Sequence, residues 1–82
     1  MTYRLFVLDV PENVPIVDTA RKEPSVQVEK LGPYFVLASE GSVEVDRRAT
    51  GARHAVWYSW VGGLDGWRIE QWDSNAFRLV PR

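Results

Sequence analysis

The stretch His54-Ala55-Val56-Trp57-Tyr58-Ser59-Trp60-Val61-Gly62-Gly63-Leu64-Asp65-Gly66-Trp67-Arg68-Ile69-Glu70-Gln71-Trp72 contains every tryptophan of the chain. Read as extended backbone, His54–Val61 puts His54, Val56, Tyr58 and Trp60 on one face and Ala55, Trp57, Ser59 and Val61 on the other. Gly62–Gly66 then closes a hairpin, with Asp65-Gly66 supplying the left-handed positions of its turn. Trp67–Trp72 runs back, with Trp67, Ile69 and Gln71 opposite to Arg68, Glu70 and Trp72. Trp57 and Trp60 are an odd number of positions apart, as are Trp67 and Trp72. Strict alternation therefore splits each pair across the sheet, and one layer of packing cannot hide all four rings.

Outward from this segment, short β-branched and aromatic runs alternate with turn residues at Gly32, Gly41, Gly51, Gly62-Gly63, Asp65-Gly66 and Ser74-Asn75. That spacing predicts a mostly β fold, a small antiparallel barrel or meander of six to seven short strands. The expected strands are Tyr3–Val10, Val26–Leu31, Tyr34–Ser39, Ser42–Arg47, His54–Val61, Trp67–Trp72 and Ala76–Val80. Consecutive hairpins from Tyr34 onward are expected, and a barrel is preferred because closure removes exposed strand edges. Tyr3–Val10 is apolar on both faces at Leu5, Phe6, Val7 and Leu8, which places it mid-sheet. Residues 11–24 read either as a loop or as one short helix near residues 15–22, with Pro15 at a first helical position.

Composition narrows the function classes. The 82 residues form a single small domain spanning 1–82, with 45% hydrophobic and 26% charged residues, the balance of a folded chain. There are no cysteines and one histidine, so thiolate metal sites, disulfides and cysteine nucleophiles are excluded. No apolar run reaches membrane-spanning length, and the first ten residues do not read as a signal peptide. The chain is therefore expected to be cytoplasmic and to need neither cofactor nor metal. The net charge of −1 hides an asymmetry: residues 1–46 carry −4 and residues 47–82 carry +3.

Three clusters are candidate sites. Tyr58, Trp60, Trp67 and Arg68 form an aromatic–arginine surface of the residue types that dominate binding hot spots; packing in a core is the competing account of the same rings. Arg47, Arg48 and Arg53 with His54 form a basic loop that could contact phosphate or an acidic partner. A solvated loop is the plainer alternative, and a pI near 5.7 speaks against charge-driven duplex binding. His54 could serve an enzyme, but Ser59 lies an odd step away on the opposite face, a poor Ser–His couple, and no catalytic residue is assigned. Glu44 and Asp46 share a strand face, as solubility alone would arrange. The sequence thus favours a non-enzymatic interaction module using the 54–72 hairpin to bind a protein partner or a second copy of itself. A single-stranded nucleic-acid binder is the alternative, followed by a small-ligand carrier or enzyme acting around His54.

Overall fold

A computed structural model describes all residues, Met1–Arg82. Strand β1 (Tyr3–Leu8) leads through a short 3₁₀ turn (Pro11–Asn13) into helix α1 (Val14–Arg21). Strands β2 (Gln27–Leu31), β3 (Tyr34–Ser39) and β4 (Val43–Asp46) follow. Two single helical turns, α2 (Arg47–Thr50) and α3 (His54–Trp57), precede β5 (Gly63–Asp65), β6 (Trp67–Trp72) and β7 (Ala76–Pro81). The strands form two antiparallel sheets, one ordered β2-β3-β1-β5 and the other β4-β7-β6. The mostly β expectation holds, and no closed barrel is found among these two sheets. The expected meander also breaks: β3 and β4 belong to different sheets, and β5 pairs with β1 rather than with a partner in its own hairpin.

Of the two readings open for residues 11–24, loop or short helix, the structure takes the helix, α1. Pro15 sits in its first turn, where the missing N–H costs nothing. Ile16, Val17 and Ala20 occupy one face and are buried. Asn13 anchors the approach, its Nδ2 donating to the Leu8 carbonyl at 2.9 Å. The basic loop at 47–53 is also helical in part. Asp46 accepts from the Arg48 amide at 3.4 Å, and Gly51 ends the turn in the left-handed region at φ 68°.

The main correction concerns His54–Val61, which is not a strand. Residues 54–57 make a helical turn in which the Trp57 amide donates to the Arg53 carbonyl at 2.8 Å and the Tyr58 amide to the His54 carbonyl at 3.2 Å. Trp57 and Trp60, three apart on a turn, point the same way. Two indole hydrogen bonds fix α3 against the β6–β7 turn. Trp57 Nε1 donates to the Asp73 carbonyl at 2.6 Å, and Trp72 Nε1 donates to the Trp57 carbonyl at 3.0 Å.

The second indole pair obeys a different device. In β6, Ile69 pairs with Leu79 but Gln71 pairs with Arg78, so Glu70 is an extra residue opposite no partner. This β-bulge shifts the alternation by one. Trp67 and Trp72, five apart, therefore pair with Pro81 and Phe77 on the same face of β7. One core receives the indoles: Trp57, Trp60 and Trp67 are at most 1% exposed, and Trp72 is half-buried against Phe77 at 5.2 Å. The same core holds Leu5, Val7, Ile16, Leu37, Val45 and Leu79.

Two predictions arise here. Gly66 sits at φ +83°, and a Cβ there would lie 2.5 Å from Cδ1 of Tyr3, whose ring stacks on Trp67 at 5.9 Å. Gly66→Ala is expected to cost about 2–4 kcal/mol, combining left-handed strain with displacement of a packed ring; a denaturant midpoint within error of wild type would contradict this. Asp73 caps the β6–β7 turn, its Oδ1 accepting from the amides of Asn75 at 2.8 Å and Ala76 at 3.0 Å. Those two bonds, with a smaller contribution from Gln71, hold its pKa below the ordinary 3.8. A carboxylate depressed on folding stabilises the fold above its unfolded pKa, and that contribution is lost as pH falls through the folded value. Asp73→Ala should therefore differ most from wild type in melting temperature at neutral pH. The gap should narrow below pH 3.8; a gap that stays constant down to pH 2 (roughly two units lower) would argue against the bonds being ionic.

Candidate interaction surface

The structure separates the residues that the sequence grouped. Trp60 and Trp67 are each 1% exposed, so neither ring offers a face to a ligand. Trp67 Nε1 is satisfied internally by the Gly41 carbonyl at 2.9 Å. Arg47 is drawn onto its own loop, Nε donating to the Ala52 carbonyl and Nη1 to the Ser74 carbonyl, both at 3.4 Å. Arg68 stands opposite Val80 on the outer face of the three-stranded sheet. Arg48, Arg53 and His54 are exposed, and neither arginine forms an ion pair.

What remains of the aromatic–arginine surface lies on α3. The His54 and Tyr58 rings are 4.9 Å apart, and Tyr58 lies 5.9 Å from Trp72. Ser59 Oγ donates to the Ala55 carbonyl at 2.7 Å, which leaves it engaged with its own turn rather than with His54. This small exposed strip cannot supply the run of stacking faces that single-stranded nucleic acid uses.

A different surface emerges from the register of the four-stranded sheet. Its inner face carries Tyr3, Leu5 and Val7 paired with Ser39, Leu37 and Phe35, and these meet the core. Its outer face consists of three rows. Leu31, Tyr34 and Leu8 form the first; Glu29, Val36, Phe6 and Gly63 the second; Gln27, Ala38, Arg4 and Asp65 the third. Leu31 is 62% exposed, Leu8 43% and Tyr34 37%. Val36 is only 5% exposed yet lies outside the main core cluster. Its cover comes from neighbours on the same face, with Phe6 directly across and the Phe6 and Tyr34 rings edge-on at 6.3 Å. The sheet thus has a second apolar layer with no element of this chain above it.

Polar groups rim that layer. Arg4 reaches Asp65 at 3.5 Å across one end of it, and Gln27 and Glu29 stand along its β2 edge. An apolar centre inside a polar rim is the usual anatomy of a protein interface. The residues were legible as apolar in the Leu5-Phe6-Val7-Leu8 run, but a run apolar on both faces looks the same whether its second face is covered or bare.

The surface grooves hold no comparable chemistry. The largest, about 360 Å³, lies between Thr2, Ser39 and Gly41 and contains no histidine. No group of three or more His, Asp or Glu side chains converges as a metal site would require, and no helix is long and apolar enough to cross a membrane.

No protein-family model matches the chain, and no curated protein does. Thirteen solved chains match it. One comes from the complex of phenol hydroxylase with its regulatory protein; it superposes with a TM-score of 0.81 across 100% of both chains at 10% sequence identity. At that identity the likeness is one of fold.

Proposed function

We propose that this chain is a protein-interaction module, a small non-catalytic subunit that docks on a larger partner. The observation that carries this is the uncovered second apolar layer formed by Phe6, Leu8, Leu31, Tyr34 and Val36. Exposed apolar patches of this kind on small folded chains mark contact surfaces. The similarity to a chain in a complex of phenol hydroxylase and its regulatory protein supports the same reading, and makes an assembly of that enzyme class the first partner to test. His54 with Arg53 and Tyr58, which flank α3, forms a smaller, secondary contact in this proposal, and the exposed Arg48 of α2 is a further candidate.

The test uses Leu8→Glu combined with Leu31→Glu, two exposed positions where the fold should tolerate charge. Each carboxylate would have to be desolvated in the interface, so at least about a 100-fold loss of affinity is expected with little change in melting temperature. In native extract the wild-type chain should elute in a complex well above its own 9.4 kDa, and the double variant at 9.4 kDa. A wild-type chain that elutes alone, or a double variant that stays in the complex, would contradict the proposal.

A further inference from the structure

The outer sheet face admits a more specific occupant, on the footing of the docking role proposed above. We infer that it receives one amphipathic helix of the partner, about three turns long, with an aliphatic stripe and a lysine or arginine placed to meet Glu29. Four observations lead there.

The first is layering. A sheet apolar on both faces needs a layer on each side. Its inner face meets the main core, while Leu31, Leu8 and Tyr34 on its outer face stand 62%, 43% and 37% exposed. The second is size. The two apolar rows and the Arg4–Asp65 row that rims them span four residue steps along β1, roughly 14 Å at strand rise, and two strand spacings across from β2 to β1, roughly 10 Å. That matches the width of one helix and the length of about nine helical residues.

The same footprint argues against a second copy. Two such faces would bury a few hundred Å² each, well below the roughly 800 Å² per partner typical of a stable complex. A helix belonging to a larger protein escapes that limit, because the rest of the partner supplies further contact. The third observation is that the sheet edges are poor templates for an added strand. Strand β2 ends in Glu29-Lys30-Leu31 with Lys30 tied to Asp9, and β5 is three residues long. Charged and short edges resist pairing, so the face is the open site.

The fourth is charge. The outer face carries three charged side chains, Arg4, Asp65 and Glu29. Arg4 and Asp65 pair with each other, whereas Glu29, directly across from Val36, has no cationic partner. A cation flanking the aliphatic stripe of the helix would complete the rim there.

The probe is a stapled synthetic helix of about twelve residues, with leucines at helical spacing and lysines beside the stripe. It is titrated into the isotope-labelled full chain and followed by NMR. Shift changes are expected at Phe6, Leu8, Tyr34 and Val36, with at least about tenfold weaker binding when the probe lysines are glutamates. Glu29→Lys should reverse that preference. No binding, equal affinity of the two probes, or shifts centred on His54–Tyr58 would overturn the inference. So would sedimentation showing a dimer that Leu31→Glu dissolves, since the occupant would then be a second copy. If the probe fails while the Leu8→Glu, Leu31→Glu variant still loses its native complex, the helix is wrong and the docking surface stands. If that variant keeps its complex, both fall.

Discussion

Trp57→Ala is expected to remove a large fraction of the stability of the fold. The ring is 0% exposed, packs 6.1 Å from Trp60, and donates its indole N–H to the Asp73 carbonyl. Removing a buried aromatic of this size costs about 3–5 kcal/mol, because the surrounding structure only partly collapses into the space. The stranded carbonyl adds about 1 kcal/mol. A domain of 82 residues has about 4–12 kcal/mol in total, so the loss is a large fraction of it. Trp57→Phe separates the two contributions: it keeps most of the packing and loses the hydrogen bond, and should cost only about 1–2 kcal/mol. Urea denaturation followed by circular dichroism reads both. A Trp57→Ala cost below about 1 kcal/mol would mean that α3 is not part of the cooperative fold.

Insertion of one alanine after Glu70 is expected to be almost as damaging, though Glu70 itself is exposed. The effect is one of phase. Deleting Glu70 would leave Trp67 and Trp72 four positions apart, opposite Pro81 and Phe77, which are also four apart, so a regular ladder would keep both indoles on one face and the deletion should be the milder change. The insertion instead leaves two residues without partners in a strand whose ends are both fixed. The turn at Asp73 holds one end, and the Arg82 amide bonded to the Gly66 carbonyl at 3.0 Å holds the other. One stretch then slips against β7 and turns its side chains to the wrong face. One indole leaves the core, at a cost of about 3–5 kcal/mol. Arg78 bridges Glu44 at 2.9 Å and Glu70 at 3.1 Å, but those exposed pairs contribute little by comparison. Glu70→Ala is the control: it deletes the ion pair and keeps the bulge, and should stay within about 1 kcal/mol of wild type. A red-shifted tryptophan emission in the insertion alone identifies phase as the cause.

These two variants also mark what the sequence made legible. The expected strands 26–31, 34–39, 67–72 and 76–80 match β2, β3, β6 and β7 to within a residue, because alternation and turn residues define them, whereas Pro15 alone leaves 11–24 open between loop and helix. The 54–61 segment does not. Val56 and Trp60 are four apart, a spacing that suits both a strand face and a helix face, so periodicity over eight residues cannot decide between them. The Trp57–Asp73 and Trp72–Trp57 hydrogen bonds decide it, and they join residues fifteen or sixteen positions apart. The bulge is equally hidden, since no glycine marks Glu70. Once both devices are known, the indoles that strict alternation assigned to a surface turn into the core, and Trp60 and Trp67 drop out as contacts. The apolar residues then left unexplained are those of the outer sheet face.

Hydroxyl-radical footprinting, comparing the free chain with its complex on the native partner, tests this exchange of surfaces most directly. Oxidation of Leu8, Leu31 and Tyr34 should fall at least about fivefold on binding, in keeping with their removal from solvent at the centre of an interface. His54 and Tyr58 should change less. Protection centred on His54, Tyr58 and Trp72, with the outer sheet residues as reactive as in the free chain, would contradict the account.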